Sequence, residues 1–208
     1  MRLTIEHTIE GPDEDVLLGL YRASIEYLAA DAVGVQAYTD DEFRQQLHDP
    51  AMLKLVGRDG AGVPQALCLV TDDLSNVPWV SAPFYAKRFP DHYARGAILY
   101  VATIVVQPDA QATGYSFLLM KELARMLGER DGIGAFDCCG VTQQLIPDLA
   151  ERVARRFLVH VERQELDSQR YYAVVTEGIK PGAFGEEPEI DLVGLEEAER
   201  AAERVDRR

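Results

Sequence analysis

Ile104-Val105-Val106-Gln107-Pro108-Asp109-Ala110-Gln111-Ala112-Thr113-Gly114-Tyr115-Ser116-Phe117-Leu118-Leu119-Met120 runs from the end of a strand through a tight turn into a helix. Ala97–Val106, which leads into it, is the longest apolar run of the chain and reads as a buried central strand. After Pro108 and the turn, Phe117, Met120, Ala124 and Leu127 recur at helical spacing, with Leu119, Leu123 and Met126 beside them. They predict a helix from about Ser116 to Glu129. A helix that opens directly after a strand offers unpaired N–H groups and a partial positive charge, which together hold phosphate oxygens. Gly114 in the turn permits positive φ and a close approach of ligand to backbone. Neither Gly-x-Gly-x-x-Gly nor Gly-Lys-Ser/Thr is present. The turn alone therefore reads as a phosphate cradle of another kind or as an ordinary strand-to-helix connection.

On the N-terminal side, Leu3–Ile9 alternates as a half-buried strand does, and Gly11-Pro12-Asp13 opens a helix whose stripe is Val16, Leu20, Ala23 and Tyr27. Thr39-Asp40-Asp41-Glu42 is a capping box for a short helix carrying Phe43 and Leu47, ended by Pro50. Met52–Val56 and Gln65–Thr71, joined through Gly57, Gly60 and Gly62, predict an antiparallel hairpin. Asp72–Gly96, with Trp79, Phe84, Tyr85, Phe89 and Tyr93 among three prolines, reads as an irregular loop. Beyond the central helix, Ala135–Gly140 is expected as a strand. A helix follows from Pro147 with Leu149, Val153 and Phe157 inward, then a strand pair, Leu158–Glu162 with Tyr171–Thr176. Residues 1–178 are expected as one domain, and 179–208 as an acidic linker and charged tail. The fold class is α/β, a mixed, mostly antiparallel sheet flanked by helices.

The net charge is −14, and residues 186–208 hold nine acids and four bases of it. Such a chain repels nucleic acid and anionic membranes and favours cationic partners, although acidity also serves solubility. No run of about 18 apolar residues and no signal-peptide pattern is present, so a cytoplasmic protein is expected. Three cysteines, with Cys138 and Cys139 adjacent, read as reduced thiols. No metal-ligand spacing occurs among them or with His7, His48 and His160.

The Ile104–Met120 stretch resembles the GCN5-related N-acetyltransferase family. It carries an apolar strand, Val106-Gln107-Pro108, then Gln111-Ala112-Thr113-Gly114-Tyr115-Ser116 in the pattern (Arg/Gln)-x-x-Gly-x-(Gly/Ala), then a helix; Ser116 replaces the usual last small residue. The resemblance extends to element order from Leu3 to about Thr176. It implies an acyl-CoA N-acyltransferase fold with acetyl-CoA as acyl donor and no metal. Ile104, Val105 and Val106 would lie along the pantetheine arm, with Gln111, Ala112, Thr113, Gly114, Tyr115 and Ser116 around the pyrophosphate. The acceptor would be a small amine or a peptide amine, attacked directly in a ternary complex, and a homodimer is compatible with the family.

The family often places a tyrosine acid on the helix after the fifth strand, where this chain has Arg152. The departure leaves open a second reading, a non-catalytic acyl-CoA-binding regulatory module. Tyr100 and Asp137 are the candidate acid and base, or respectively a packed strand tyrosine and a solvent-facing acid. Trp79, His92 and Tyr93 are candidate acceptor contacts, or packing within the loop.

Overall fold

The computed structural model describes residues 1–108, 114–142 and 145–168. Five strands form one sheet in the order β1-β2-β3-β4-β5: β1 (Arg2–Glu6), β2 (Leu53–Arg58), β3 (Pro64–Thr71), β4 (Ile98–Val106) and β5 (Ile133–Phe136). The first four pair antiparallel, and β4 pairs parallel with β5. The helices are α1 (Pro12–Asp31), α2 (Asp40–His48), α3 (Ala82–Arg88), α4 (Pro90–Ala94), α5 (Tyr115–Arg130) and α6 (Leu145–Ala154). The fold is the expected mixed, mostly antiparallel sheet flanked by helices, with Met1–Ser168 forming one compact unit. The boundary expected at 178/179 lies outside the described residues.

Period-two alternation divides the sheet residues between two cores. Val56, Leu67, Leu69, Ile98 and Tyr100 pack against Leu17, Tyr21, Phe43 and Leu47 of α1 and α2. Leu55, Ala66, Cys68, Val70 and Leu99 pack against Tyr115, Leu119, Leu123 and Met126 of α5. Fully buried leucines such as Leu17, Leu47 and Leu69 contribute about 2 kcal/mol each. Two buried cations stitch the margins. Arg58 binds Glu6 of β1, Asp13 of α1 and the Gly62 carbonyl. Lys54 donates to the carbonyls of His7 (2.8 Å) and Asp49 (2.5 Å), the latter the residue that caps the end of α2.

Several expectations are corrected. The buried face of α1 is Leu17, Leu18, Leu20 and Tyr21, while Val16 and Tyr27 are exposed. Tyr21 fixes that rotation by stacking on Phe43 at 4.1 Å and exchanging hydrogen bonds with the Tyr38 backbone. In α5 the centre of the face is Leu119 and Leu123, with Phe117 exposed. Asp72–Gly96 is ordered into a 3-10 turn (Leu74–Asn76), α3 and α4. Two of its three prolines start helices: Pro83 lies in the first turn of α3 behind the Ser81 cap, and Pro90 opens α4. The fifth strand begins at Ile133 and ends before Asp137, so Cys138 and Cys139 lie beyond it, both half-buried. Leu158–Glu162 forms no strand, Phe157 is exposed past the end of α6, and Tyr171–Thr176 lies outside the described residues.

Candidate active site

Two features of β4 open a gap in the sheet. Leu69 pairs with Thr103 and Val70 with Val101, so Ala102 is an extra residue in β4. This bulge exchanges the strand's faces: Leu99 and Val101 pack toward α5, and after the bulge Ile104 and Val106 do so, while Val105 joins the opposite core. In addition, β5 pairs only with Ile98–Val101; on that edge, opposite β3, Ala102–Val106 continue without a partner strand among the described residues. The Gln107 N–H donates to the Gln65 carbonyl across to β3 at 2.8 Å. Alternation then turns the backbone groups of Val105 toward β3 and those of Ile104 and Val106 toward the open edge.

The open edge leads to the start of α5. Gly114 is the N-cap in the left-handed region, φ 90° and ψ 10°, and no side chain among the described residues caps the helix. Its carbonyl accepts the Leu118 N–H, so the first-turn N–H groups from Tyr115 onward have no intrahelical acceptor. The buried Tyr115 ring lies on β2 at Gly57, where a Cβ would stand 2.6 Å from Tyr115 Cδ1. That close approach anchors the start of α5 to the sheet. Ser116 is half-buried beside it; Gln111, Ala112 and Thr113 lie outside the described residues. An open strand edge followed by an uncapped helix start suits a ligand with amide groups at one end and phosphates at the other.

On the opposite face, the chain brings Trp79, Tyr100 and Asp137 together. The Trp79 Nε1–H donates to Asp137 Oδ1 at 3.1 Å and the Tyr100 hydroxyl donates to the same oxygen at 2.5 Å. Asp137 is exposed just past β5, whereas Tyr100 is buried in β4. Tyr38 packs against Trp79 with ring centroids 4.9 Å apart, and Tyr85 meets Tyr100 edge-on at 6.4 Å. Burial, then the bond to the Asp137 carboxylate, pushes the Tyr100 phenol far above its ordinary value. Burial foremost, with Asp137 among the charges that add to it, also raises Tyr38 and Tyr85. A phenol so raised remains a hydrogen-bond donor but is a poor proton source for a thiolate, whose thiol titrates near 8.5. The Tyr100 hydroxyl is held as a donor to Asp137 Oδ1.

His92 and Tyr93 sit on α4, and among the described hydrogen bonds neither side chain joins the Asp137 cluster. Arg152 is exposed on α6 and donates to its own helix at Asp148, so no tyrosine occupies that position. Tyr38 and Tyr85 were missed in the sequence. Tyr38 precedes the Thr39 capping box and Tyr85 sits within the supposed loop, so only an expectation of helix there would have brought them forward. Burial raises the Cys138 thiol, with the Asp137 charge a smaller contribution. Among the described residues no group of side chains has a metal-ligand arrangement, and no helix is long and apolar enough to cross a membrane.

No protein-family model matches the chain, and no curated relative does. Among solved structures it is similar to a ribosomal-protein-alanine N-acetyltransferase from Brucella melitensis biovar Abortus 2308, at 15% identity and TM-score 0.45 over 83% of this chain and 100% of that one. It is similar to an aminoglycoside acetyltransferase from an uncultured soil metagenomic sample in complex with sisomicin, at 14% identity and TM-score 0.46 over 83% and 97%. It is also similar to a predicted acetyltransferase with acetyl-CoA from Clostridium acetobutylicum, at 10% identity and TM-score 0.44 over 81% and 96%. Nothing about substrate or chemistry in this chain follows from likenesses of this degree. In element order and in its strand, turn and helix around Gly114, the chain resembles the GCN5-related N-acetyltransferases.

Proposed function

We propose that this chain is an acyl-CoA-dependent N-acyltransferase that moves an acetyl group to a primary amine by direct attack in a ternary complex. The observations that carry the reading are the open β4 edge and the left-handed Gly114 at the start of α5, the element that follows β4 in sequence. Backbone groups of Ile104 and Val106 would pair with the amide-bearing arm of the donor, and the N–H groups from Gly114 through Ser116 would meet its phosphates. Gln111, Ala112 and Thr113 complete the proposed cradle. The donor supplies an activated thioester carbonyl. The amine forms the new C–N bond as the C–S bond breaks, the thiolate departs, and the amine's proton passes to Asp137 or to solvent. The protein's share is orientation and a proton acceptor, since a thiolate leaves without an acid.

A second reading, a non-catalytic acyl-CoA-binding regulatory module, is favoured by one observation: Arg152 stands exposed where the family that the chain resembles often places a tyrosine. Calorimetry with CoA and a thiol-release assay with acetyl-CoA separate the two. The panel is polyamines, aminoglycosides, amino acids and peptides. Transfer predicts binding and amine-dependent thiol release. Binding without release from any acceptor supports the regulatory module, and no CoA binding removes both.

A further inference from the structure

We infer that Asp137, held by Trp79 and Tyr100 among the aromatic rings of Tyr38 and Tyr85, is a docking point for a cationic amine. As the acceptor subsite of a transferase this rests on the acyl-transfer reading; as an amine-binding site it stands by itself.

The geometry of the carboxylate carries the inference. Both protein donors converge on Oδ1, the Trp79 indole at 3.1 Å and the Tyr100 hydroxyl at 2.5 Å. Oδ2 receives no donor among the described residues, and Asp137 is exposed. Neither neutral donor cancels the charge, and no arginine, lysine or histidine pairs with Asp137 among the described residues. A residue needed only to receive those two hydrogen bonds would serve equally well as asparagine, which also offers one acceptor oxygen.

The surroundings select the ligand. An indole ring presents a negative face that attracts ammonium groups, and Trp79 is the half-buried ring of this cluster, with Tyr38, Tyr85 and Tyr100 buried behind it. Trp79 and Tyr38 stand 4.9 Å apart, and Tyr85 closes edge-on against Tyr100. The Asp137 charge contributes to raising Tyr38, Tyr85 and Tyr100, so its field extends over all three phenols. These rings are already packed and bonded, so an entering ligand finds the carboxylate pre-oriented, with Oδ2 free to accept from an ammonium N–H. An anion at the same place would meet the carboxylate head-on, and a neutral hydroxyl would leave its charge unpaired.

Trp79 is the only tryptophan of the chain, so its emission reports directly on this carboxylate. The full chain, free of CoA, is titrated with spermidine, kanamycin and lysine ethyl ester, with 1,8-octanediol as an uncharged control. At least one amine should shift the emission saturably and the diol should not. Asp137→Asn keeps the acceptor for both donors and replaces the free oxygen by an amide N–H₂. Amine affinity should fall at least tenfold in it, with circular dichroism and CoA affinity unchanged. Tyr100→Phe removes a donor and keeps the charge, and should weaken the amine response by less than Asp137→Asn does. Silence with all three amines, an equal response to the diol, an Asn variant that titrates like wild type, or a Phe variant as deaf as the Asn variant would each overturn the inference. CoA binding with no amine response leaves acyl transfer standing without this subsite. Amine response without CoA binding leaves the subsite standing and removes acyl transfer.

Discussion

At Gly114 the φ of 90° is a conformation that a β-branched residue adopts only with strain. Gly114→Val should therefore weaken CoA binding at least tenfold, about 1.4 kcal/mol, with circular dichroism unchanged. Equal CoA affinity by calorimetry would remove the turn from the proposed cradle. Gly57 acts on the same helix start from below. A methyl group there meets the Tyr115 ring at 2.6 Å and Ala66 Cβ at 3.2 Å. Gly57→Ala should destabilise the fold by about 1–3 kcal/mol and weaken CoA binding with it. Wild-type stability on chemical denaturation would show that the ring moves aside at no cost.

Lys54 links two elements, β2 and the end of α2, and makes the joint pH-sensitive. Burial lowers its ammonium to about 8 from an ordinary 10.5. Between those values the unfolded chain holds the proton and the folded chain does not. Folding thus releases a proton, and raising the pH from about 8 to about 10.5 favours the folded state. The gain of wild type over Lys54→Met should grow across that window by at most about 1.4 kcal/mol per pH unit. A difference that stays flat or shrinks in denaturation at several pH values would contradict the assignment. Elements were the most legible level of the sequence, because capping, hairpin and apolar-run signals are local. The Thr39–Glu42 box stands where it was expected, and so do the hairpin strands, except that β2 runs on through Gly57, expected in the turn, to Arg58. Phase was less legible. Val16, Leu17, Leu18, Leu20 and Tyr21 satisfy more than one helical stripe, and the Tyr21–Phe43 stack that selects one is a contact between helices. The same holds at the candidate site. Tyr100, Asp137 and Trp79 were each visible as types, but their meeting depends on where β5 ends and on α3 and α4 being helical.

For the whole molecule, the charge of −14 would act with opposite sign on the two proposed ligands. An acidic body draws a cationic amine and repels anionic CoA, and salt screens both effects within about 8 Å at physiological strength. Between about 20 and 300 mM salt, kcat/KM for the best amine should fall steeply, while CoA association should hold or improve. Amine kinetics indifferent to salt would show the acidity to be spread without steering. The extra residue at Ala102 bears on how this chain can change over generations. Because β4 needs apolar side chains at both parities, exchanging one aliphatic residue for another in Ile98–Val106 is mild. Losing Ala102 itself would join Val101 directly to Thr103: the strand would straighten, Leu69 and Val70 would keep Thr103 and Val101 as partners, and Ile104, Val105 and Val106 would keep their facing. Deleting Ala102 should therefore leave CoA binding close to wild type, as should Ala102→Val, and its loss on calorimetry would show that the bend itself, rather than the facing of the side chains, shapes the open edge.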